Sequence, residues 1–199
     1  MTTDHAALRD DVARMLDVAA EPVLLDGAAI LVSPSEARTG RAMCALATAS
    51  VLDHDLPALV RLSGDWSATL RLAVCARALW EARTLGPLEP AHVLDERWDL
   101  LWSSAESSDV RATLGSLDAL SERGPEIDAV VSVLADTDPR GQELVCLGAL
   151  VVLAASLAAR RGSTRRELAD ERMALAAAYT SSSVVSAANG RLTVGGSAQ

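Results

Sequence analysis

The sequence predicts an all-α fold, a multi-helical bundle of about nine or ten helices around a central apolar helix at about 143–161. Apolar residues recur at spacings of three and four along most of the chain, and all seven prolines fall between such segments. With 199 residues, the chain can bury a core without disulfides. We expect one helical domain over 1–186, followed by a Ser- and Gly-rich tail or docked strap over 187–199.

The most apolar stretch, Leu144–Ala159, carries no charge, and Ser156 is its only polar side chain. A helix without a polar face lies in a protein core or in a bilayer. These sixteen residues span roughly 24 Å, which is short of a hydrocarbon layer of about 30 Å. Arg160 and Arg161, followed by Gly162, end the stretch as a soluble helix ends. The sequence therefore favours a buried core helix.

Capping residues and prolines set the helix boundaries in the first half of the chain. The predicted helices run from Thr3 or Asp4 to about Ala20, from Ser33-Pro34 to about Leu52, from Asp55 to Leu62, and, with Asp65 as the cap, from Trp66 to Leu85. Trp66, Ala73 and Trp80 recur at sevenfold spacing in the last of these. We expect them to share a face.

The segment Pro22–Ser33 is open to two interpretations. Asp26-Gly27 between two apolar runs favours a hairpin, whereas Ala28 and Ala29 are poor strand formers. Because no other strands are predicted for a hairpin to join, we favour a buried turn followed by a short helix.

The second half of the chain follows the same rules. The predicted helices run from Pro90 to about Ala105, from Ser107 or Ser108 to Arg123, from Glu126 to Ala135, from Asp138-Pro139 through the apolar stretch, and from Thr164 through Tyr179. Thr164 and Glu167 have the spacing of a capping box at the start of the last helix.

Composition limits the possible functions. The chain contains no Lys and no Phe, which indicates a high-GC bacterial or phage genome and excludes mechanisms that need a catalytic or phosphate-binding lysine. The net charge of −9 opposes binding to nucleic acid or to anionic membranes. Three cysteines in apolar runs and a charged N-terminal segment without a signal-peptide pattern predict buried free thiols and a cytoplasmic location.

Two segments contain His and acidic residues that can coordinate a metal. Asp53-His54-Asp55 resembles, over two residues, the His-Asp dyad of the helical phosphohydrolases named after it. That resemblance implies a metal site, but those enzymes need further ligands that His5 and His92 do not supply by position. The helix-end interpretation is favoured here, and likewise a solvated face for His92, Asp95, Glu96 and Asp99.

Arginines form the stronger candidate site. Five of them surround the turn before the last helix, namely Arg160, Arg161, Arg165, Arg166 and Arg172. Arg165 and Arg166 fall in a first helical turn, where free N–H groups already favour negative charge. Their placement suggests the hypothesis of an anion or acidic surface at the Arg160–Arg166 turn. The favoured interpretation is pairing with Glu167, Asp170 and Glu171, for which Arg166 and Asp170 have i, i+4 spacing.

Trp98 and Trp102 lie one turn apart and can line a pocket or an interface, although core packing is the favoured interpretation in a chain without Phe. We expect a non-enzymatic protein-protein interaction module, such as an adaptor, regulator or assembly component, that acts through helix surfaces as a homodimer. The alternative is a helical small-molecule-binding protein or enzyme with an apolar pocket near Trp98 and Trp102, with His92 or His54 as its acid-base group. No cofactor, metal, nucleic-acid or membrane partner is expected.

Overall fold

The fold is all-α in the residues that the computed structural model describes, which are 4–16, 23–25, 28–30, 39–86, 107–123, 126–159 and 163–179. Eight helices lie in these ranges: α1 His5–Leu16, α2 Thr39–Leu52, α3 Leu56–Ser63, α4 Ala68–Leu85, α5 Ser107–Arg123, α6 Ile127–Leu134, α7 Pro139–Ala158 and α8, residues 165–179. Outside the described residues lie the predicted end of the first helix, the predicted helix start at Ser33-Pro34, the predicted helix from Pro90 to Ala105, and the segment 180–199.

Residues 23–25 and 28–30 form two short antiparallel strands. The prediction of a buried turn and a short helix in this segment is therefore wrong. Strands β1 Val23–Leu25 and β2 Ala28–Ile30 pair with Val23 opposite Ile30. The sequence between them, Asp-Gly, is the pair that favours a two-residue hairpin connection. This local preference outweighs the poor strand propensity of alanine.

Aspartate side chains begin three of the helices, as the sequence predicts. One carboxylate oxygen each of Asp4, Asp55 and Asp138 accepts hydrogen bonds from backbone N–H groups in the first turns of α1, α3 and α7, at 2.9–3.2 Å. These bonds satisfy N–H groups that have no partner within the helix.

Helix α4 begins later than predicted. Ser67 is its N-cap and accepts from the Leu70 N–H at 3.2 Å, so Asp65 is not the cap and Trp66 precedes the helix. Trp66 therefore shares no helical face with Ala73 and Trp80, which lie two turns apart within α4. Ala73 is buried, whereas the larger Trp80 is 49% exposed.

Helix α7 is buried over most of its length. Every residue from Leu144 to Ala154 is buried, as is Leu157, and the helix packs against α4, α2 and α5. By length and composition α7 could cross a membrane, with a mean hydropathy of 1.8, but 72% of its most apolar window is buried against the rest of the protein.

Gly148 of α7 lies against α5. A β-carbon at this position would lie 2.8 Å from Leu117 Cδ1, and Leu117 is fully buried. The absence of a side chain at Gly148 therefore leaves room for the Leu117 side chain between the two helices.

Replacing Gly148 should force these helices apart. Gly148→Val is expected to lower the free energy of unfolding by about 2 kcal/mol, because overpacking a core typically costs about 1–3 kcal/mol. Gly115→Val is the matched control, since a β-carbon at Gly115 in α5 meets nothing within 4 Å. The control should change stability by less than about 0.5 kcal/mol. Urea unfolding followed by circular dichroism measures both, and equal effects would contradict the packing described.

Candidate ligand-binding cleft

A cleft of about 450 Å³ opens between α1, α2, α4 and the start of α6. Three arginines, two carboxylates and Trp80 line it together with the aliphatic side chains of Leu16, Ala76 and Ile127. Cavities of roughly 300–1,000 Å³ with apolar walls and a few polar groups are typical of small-molecule sites. The cleft is therefore a candidate functional site.

Trp80 provides an aromatic surface in this cleft. Its side chain is one of the large apolar groups that remain exposed, and the Arg77 guanidinium carbon lies 4.9 Å from the centre of its ring. Such a cation–π contact favours a fixed orientation of both groups. The guanidinium lies over the ring, and the exposed part of the ring offers an aromatic surface to an apolar group.

Glu81 holds Arg77 in place. Its carboxylate accepts from Arg77 Nε at 2.5 Å and also from Arg172 of α8 through its second oxygen. Glu81 is only 9% exposed, so two guanidinium groups neutralise a buried carboxylate. This three-residue network joins α4 to α8 directly behind the cleft.

A second ion pair closes the cleft on the α1 side. Arg9 Nε donates to Asp128 Oδ1, and Arg9 also contacts Asp10 at 3.3 Å. The hydrogen bond to Asp128 is the main cause that raises the pKa of Arg9. The charges of Arg9 and Asp128 therefore satisfy each other across α1 and α6.

Arg41 in the first turn of α2 has no such partner. Its Nε is buried and donates to no acceptor, and among the described residues no carboxylate pairs with its guanidinium. A buried N–H without an acceptor costs about 1–3 kcal/mol. An anionic group bound in the cleft would remove this cost.

Glu126 is the matching unpaired acid. It occupies the N-cap position of α6, but its side chain makes no capping hydrogen bond, and no described residue forms an ion pair with it. Among the described residues that line the cleft, Arg41 and the exposed Glu126 are thus the two charged groups without an ion pair. These groups can recognise a ligand by charge and stacking.

The cysteines take no part in the cleft. Cys44, Cys75 and Cys146 are buried free thiols, as the sequence predicts. Burial raises the pKa of Cys44 and of Cys75 to about 12, and that of Cys146 well above its ordinary value. All three are therefore protonated at neutral pH and poor nucleophiles.

Four of the six predicted site residues cannot be placed. Trp98 and Trp102 fall outside the described residues, as do Arg160 and Arg161. The segment from His92 to Asp99, for which the sequence favours a solvated face over a metal site, also falls outside them. Within the described residues, no group of three His, Cys, Asp or Glu side chains is arranged to hold a metal ion.

Arg165 and Arg166 are exposed in the first turn of α8, beside the Asp53-His54 turn that ends α2. Arg165 contacts His54 Nε2, and Arg166 lies 3.4 Å from Asp53 Oδ2 and 3.5 Å from Asp170 Oδ1. The structure thus brings together two segments that the sequence separates by more than a hundred residues. The i, i+4 pair of Arg166 and Asp170 is the alternative that the sequence offered.

His54 makes this turn possible. It has φ 59°, in the left-handed region that a helix commonly uses where it ends. The Asp55 N–H donates to Ser50 O at 2.9 Å across the turn.

The capping box at the start of α8 forms as predicted. Glu167 accepts from the Thr164 N–H at 2.8 Å and from the Thr164 hydroxyl at 3.0 Å, while the Glu167 N–H donates to the same hydroxyl oxygen at 3.2 Å. A carboxylate of the chain itself therefore occupies the helix N-terminus. The anion site at the Arg160–Arg166 turn stays a prediction.

Comparison with protein-family models, with curated proteins and with solved structures found no match to this chain. The function must therefore be argued from the cleft itself.

Sequence reasoning missed the cleft, although one part of it was readable. Arg77 and Glu81 have the i, i+4 spacing of a helical ion pair, with Trp80 between them. The convergence of Arg9, Arg41 and Glu126 on that surface depends on how α1, α2 and α6 pack. No local sequence pattern predicts that these three residues lie close together.

Removing the charge of Glu81 should destabilise the fold strongly. Glu81→Gln leaves Arg77 and Arg172 without a counter-charge, and breaking a buried ion pair costs about 3–5 kcal/mol. Asp170→Asn, which breaks an exposed pair with Arg166, should cost less than about 1 kcal/mol. Urea unfolding measures both variants. The double variant Glu81→Gln/Arg172→Met should recover part of the loss, and strict additivity would contradict the network.

The capping box should make stability depend on pH in the acid range. The Thr164 N–H and hydroxyl groups lower the pKa of Glu167. Its stabilisation is therefore complete above the ordinary glutamate pKa, about 4.3, and is lost as the pH falls through the lowered folded-state value. Glu167→Gln should lower Tm at pH 7, and its difference from wild type should shrink towards pH 3. Glu171→Gln, on the same helix, controls for the lost charge; a constant difference for Glu167→Gln would contradict the assignment.

Proposed function

We propose that this protein is a small-molecule-binding protein whose ligand occupies the cleft beside Trp80. The observation that carries the proposal is Arg41, whose buried Nε has no acceptor at a cleft of ligand size. Binding sites hold a few such polar groups among apolar walls to orient a ligand. The sequence analysis offered small-molecule binding as its alternative function, with a pocket near Trp98 and Trp102. The proposal keeps that function but assigns it to the cleft beside Trp80.

The groups in the cleft support recognition more than chemistry. Arg77 and Arg9 are engaged by carboxylates, and the Trp80 ring offers a stacking surface. The thiols lie in the core with raised pKa values. His54 contacts Arg165 at the end of α2 and does not line the cleft. We therefore propose that the protein binds its ligand without converting it.

A second candidate is the protein-protein interaction module that the sequence favours. Trp80, Leu85 and Met173 are exposed large apolar residues, with Met173 half exposed on α8. Trp and Arg are enriched among residues that dominate binding at interfaces, and the Trp80 and Arg77 pair combines both. In this second proposal, the protein forms a homodimer through this surface. It is a cytoplasmic protein of bacterial or phage origin.

We extend the proposal to the finer architecture. A further helix at 90–105 would bring the bundle to the expected nine, with α7 at its centre. The burial of α7 from Leu144 to Ala154 and its packing against α4, α2 and α5 support the central position. The spacing of Val93, Leu94, Trp98, Leu101 and Trp102 supports the additional helix.

Ligand-observed NMR with a fragment library tests the first candidate. Fragments that show saturation transfer from the full-length chain should lose it with Trp80→Ala, because the stacking surface is removed. Met173→Ala, another exposed apolar residue, is the matched control and should leave the signals unchanged. Fragments that bind the Trp80→Ala variant equally well would contradict a site in this cleft.

Sedimentation velocity on the same variants tests the second candidate. A wild-type dimer that dissociates with Trp80→Ala, in a protein that binds no fragment, would support the interaction module and contradict the first candidate. A monomer whose fragments depend on Trp80 would do the reverse.

A further inference from the structure

Some of the charged side chains around the cleft form ion pairs with each other, and two of them do not. Arg9 pairs with Asp128, and Arg77 pairs with Glu81. Arg41 and Glu126 are left, and neither makes an ion pair to a described residue. The unpaired groups thus comprise one positive and one negative charge.

Arg41 and Glu126 together favour ligands of one charge type over others. A simple anion attracted to Arg41 would also meet the carboxylate of Glu126, and a simple cation attracted to Glu126 would meet Arg41. A ligand that carries both charges can satisfy both groups at once. A ligand without a hydrogen-bond acceptor would leave Arg41 with a buried unpaired donor.

The rest of the lining indicates the body of the ligand. The Trp80 ring, held by Arg77, offers an aromatic face, and Leu16, Ala76 and Ile127 form the aliphatic wall. A cleft of about 450 Å³ lies towards the small end of the range for ligand sites. An aromatic or aliphatic group of modest size fits this space.

We infer that the cleft binds a small amphipathic zwitterion of the amino-acid class. Arg41 receives its carboxylate, Glu126 receives its ammonium group, and its apolar part lies on Trp80. This inference rests on the proposed small-molecule function and names the class of ligand.

Probes that share one aromatic ring can test the charge requirement. Phenylalanine carries both charges on one carbon, and 4-(aminomethyl)phenylacetate carries them at opposite ends. 3-Phenylpropionate keeps only the carboxylate, and phenethylamine keeps only the ammonium group. Isothermal titration calorimetry and ligand-observed NMR give their affinities. At least one zwitterion should bind about tenfold more tightly than each single-charge probe, which corresponds to about 1.4 kcal/mol.

Two substitutions assign the charges. Arg41→Gln should remove the advantage of the zwitterion over phenethylamine, and Glu126→Gln should remove its advantage over 3-phenylpropionate. Arg61→Gln and Glu122→Gln are the matched controls, since both residues are exposed and neither lines the cleft. The controls should leave all four affinities unchanged.

The outcomes separate this inference from the function on which it rests. If single-charge probes or other fragments bind through Trp80 as tightly as the zwitterions, the inference fails and the binding function stands. If 3-phenylpropionate binds best and Glu126→Gln has no effect, the cleft is an anion site and the inference is also wrong. If no probe and no library fragment binds in a Trp80-dependent way, both proposals fail.

Discussion

The burial of α7 is the constraint on which the rest of the structure depends. Because its residues from Leu144 to Ala154 leave no polar face, neighbouring helices must cover it on several sides. Helix α4 packs against it and commits its own inner residues, including Leu72 and Leu79, to the core. Arg77 and Trp80 are among the positions of α4 that remain outside this core. The cleft surface is thus a consequence of how the core is filled.

The buried carboxylate of Glu81 orders the side chains on this outer surface of α4. Long arginine side chains are flexible, and an exposed ion pair would hold Arg77 only weakly. Glu81 is almost fully buried and binds Arg77 on one side and Arg172 on the other. The planar guanidinium of Arg77 is therefore held against Trp80, an arrangement that the compact ammonium of a lysine would not reproduce. In a chain whose 18 basic residues are all arginine, this geometry is available at every cationic position.

Net charge is a poor guide to the local chemistry of this protein. The chain carries a formal charge of −9, yet its cleft and the start of α8 are both organised around arginines. At the start of α8, Arg165 and Arg166 meet His54 and Asp53 from the end of α2. These contacts are exposed, so they position the two segments more than they stabilise them. Within the cleft, Arg41 and Glu126 stand out because no described residue forms an ion pair with either of them.

The sequence by itself determined the helical class and most helix boundaries, because caps and apolar periodicity act within a few residues of chain. Asp55, Asp138 and the Thr164–Glu167 capping box illustrate this. It misplaced the start of α4 and the form of residues 23–30, where two local signals competed. Only the tertiary structure decided which outward-facing residues meet. Arg9, Arg41, Trp80 and Glu126 come from four segments, and their proximity depends on how helices pack around α7, a property that no stretch of sequence contains.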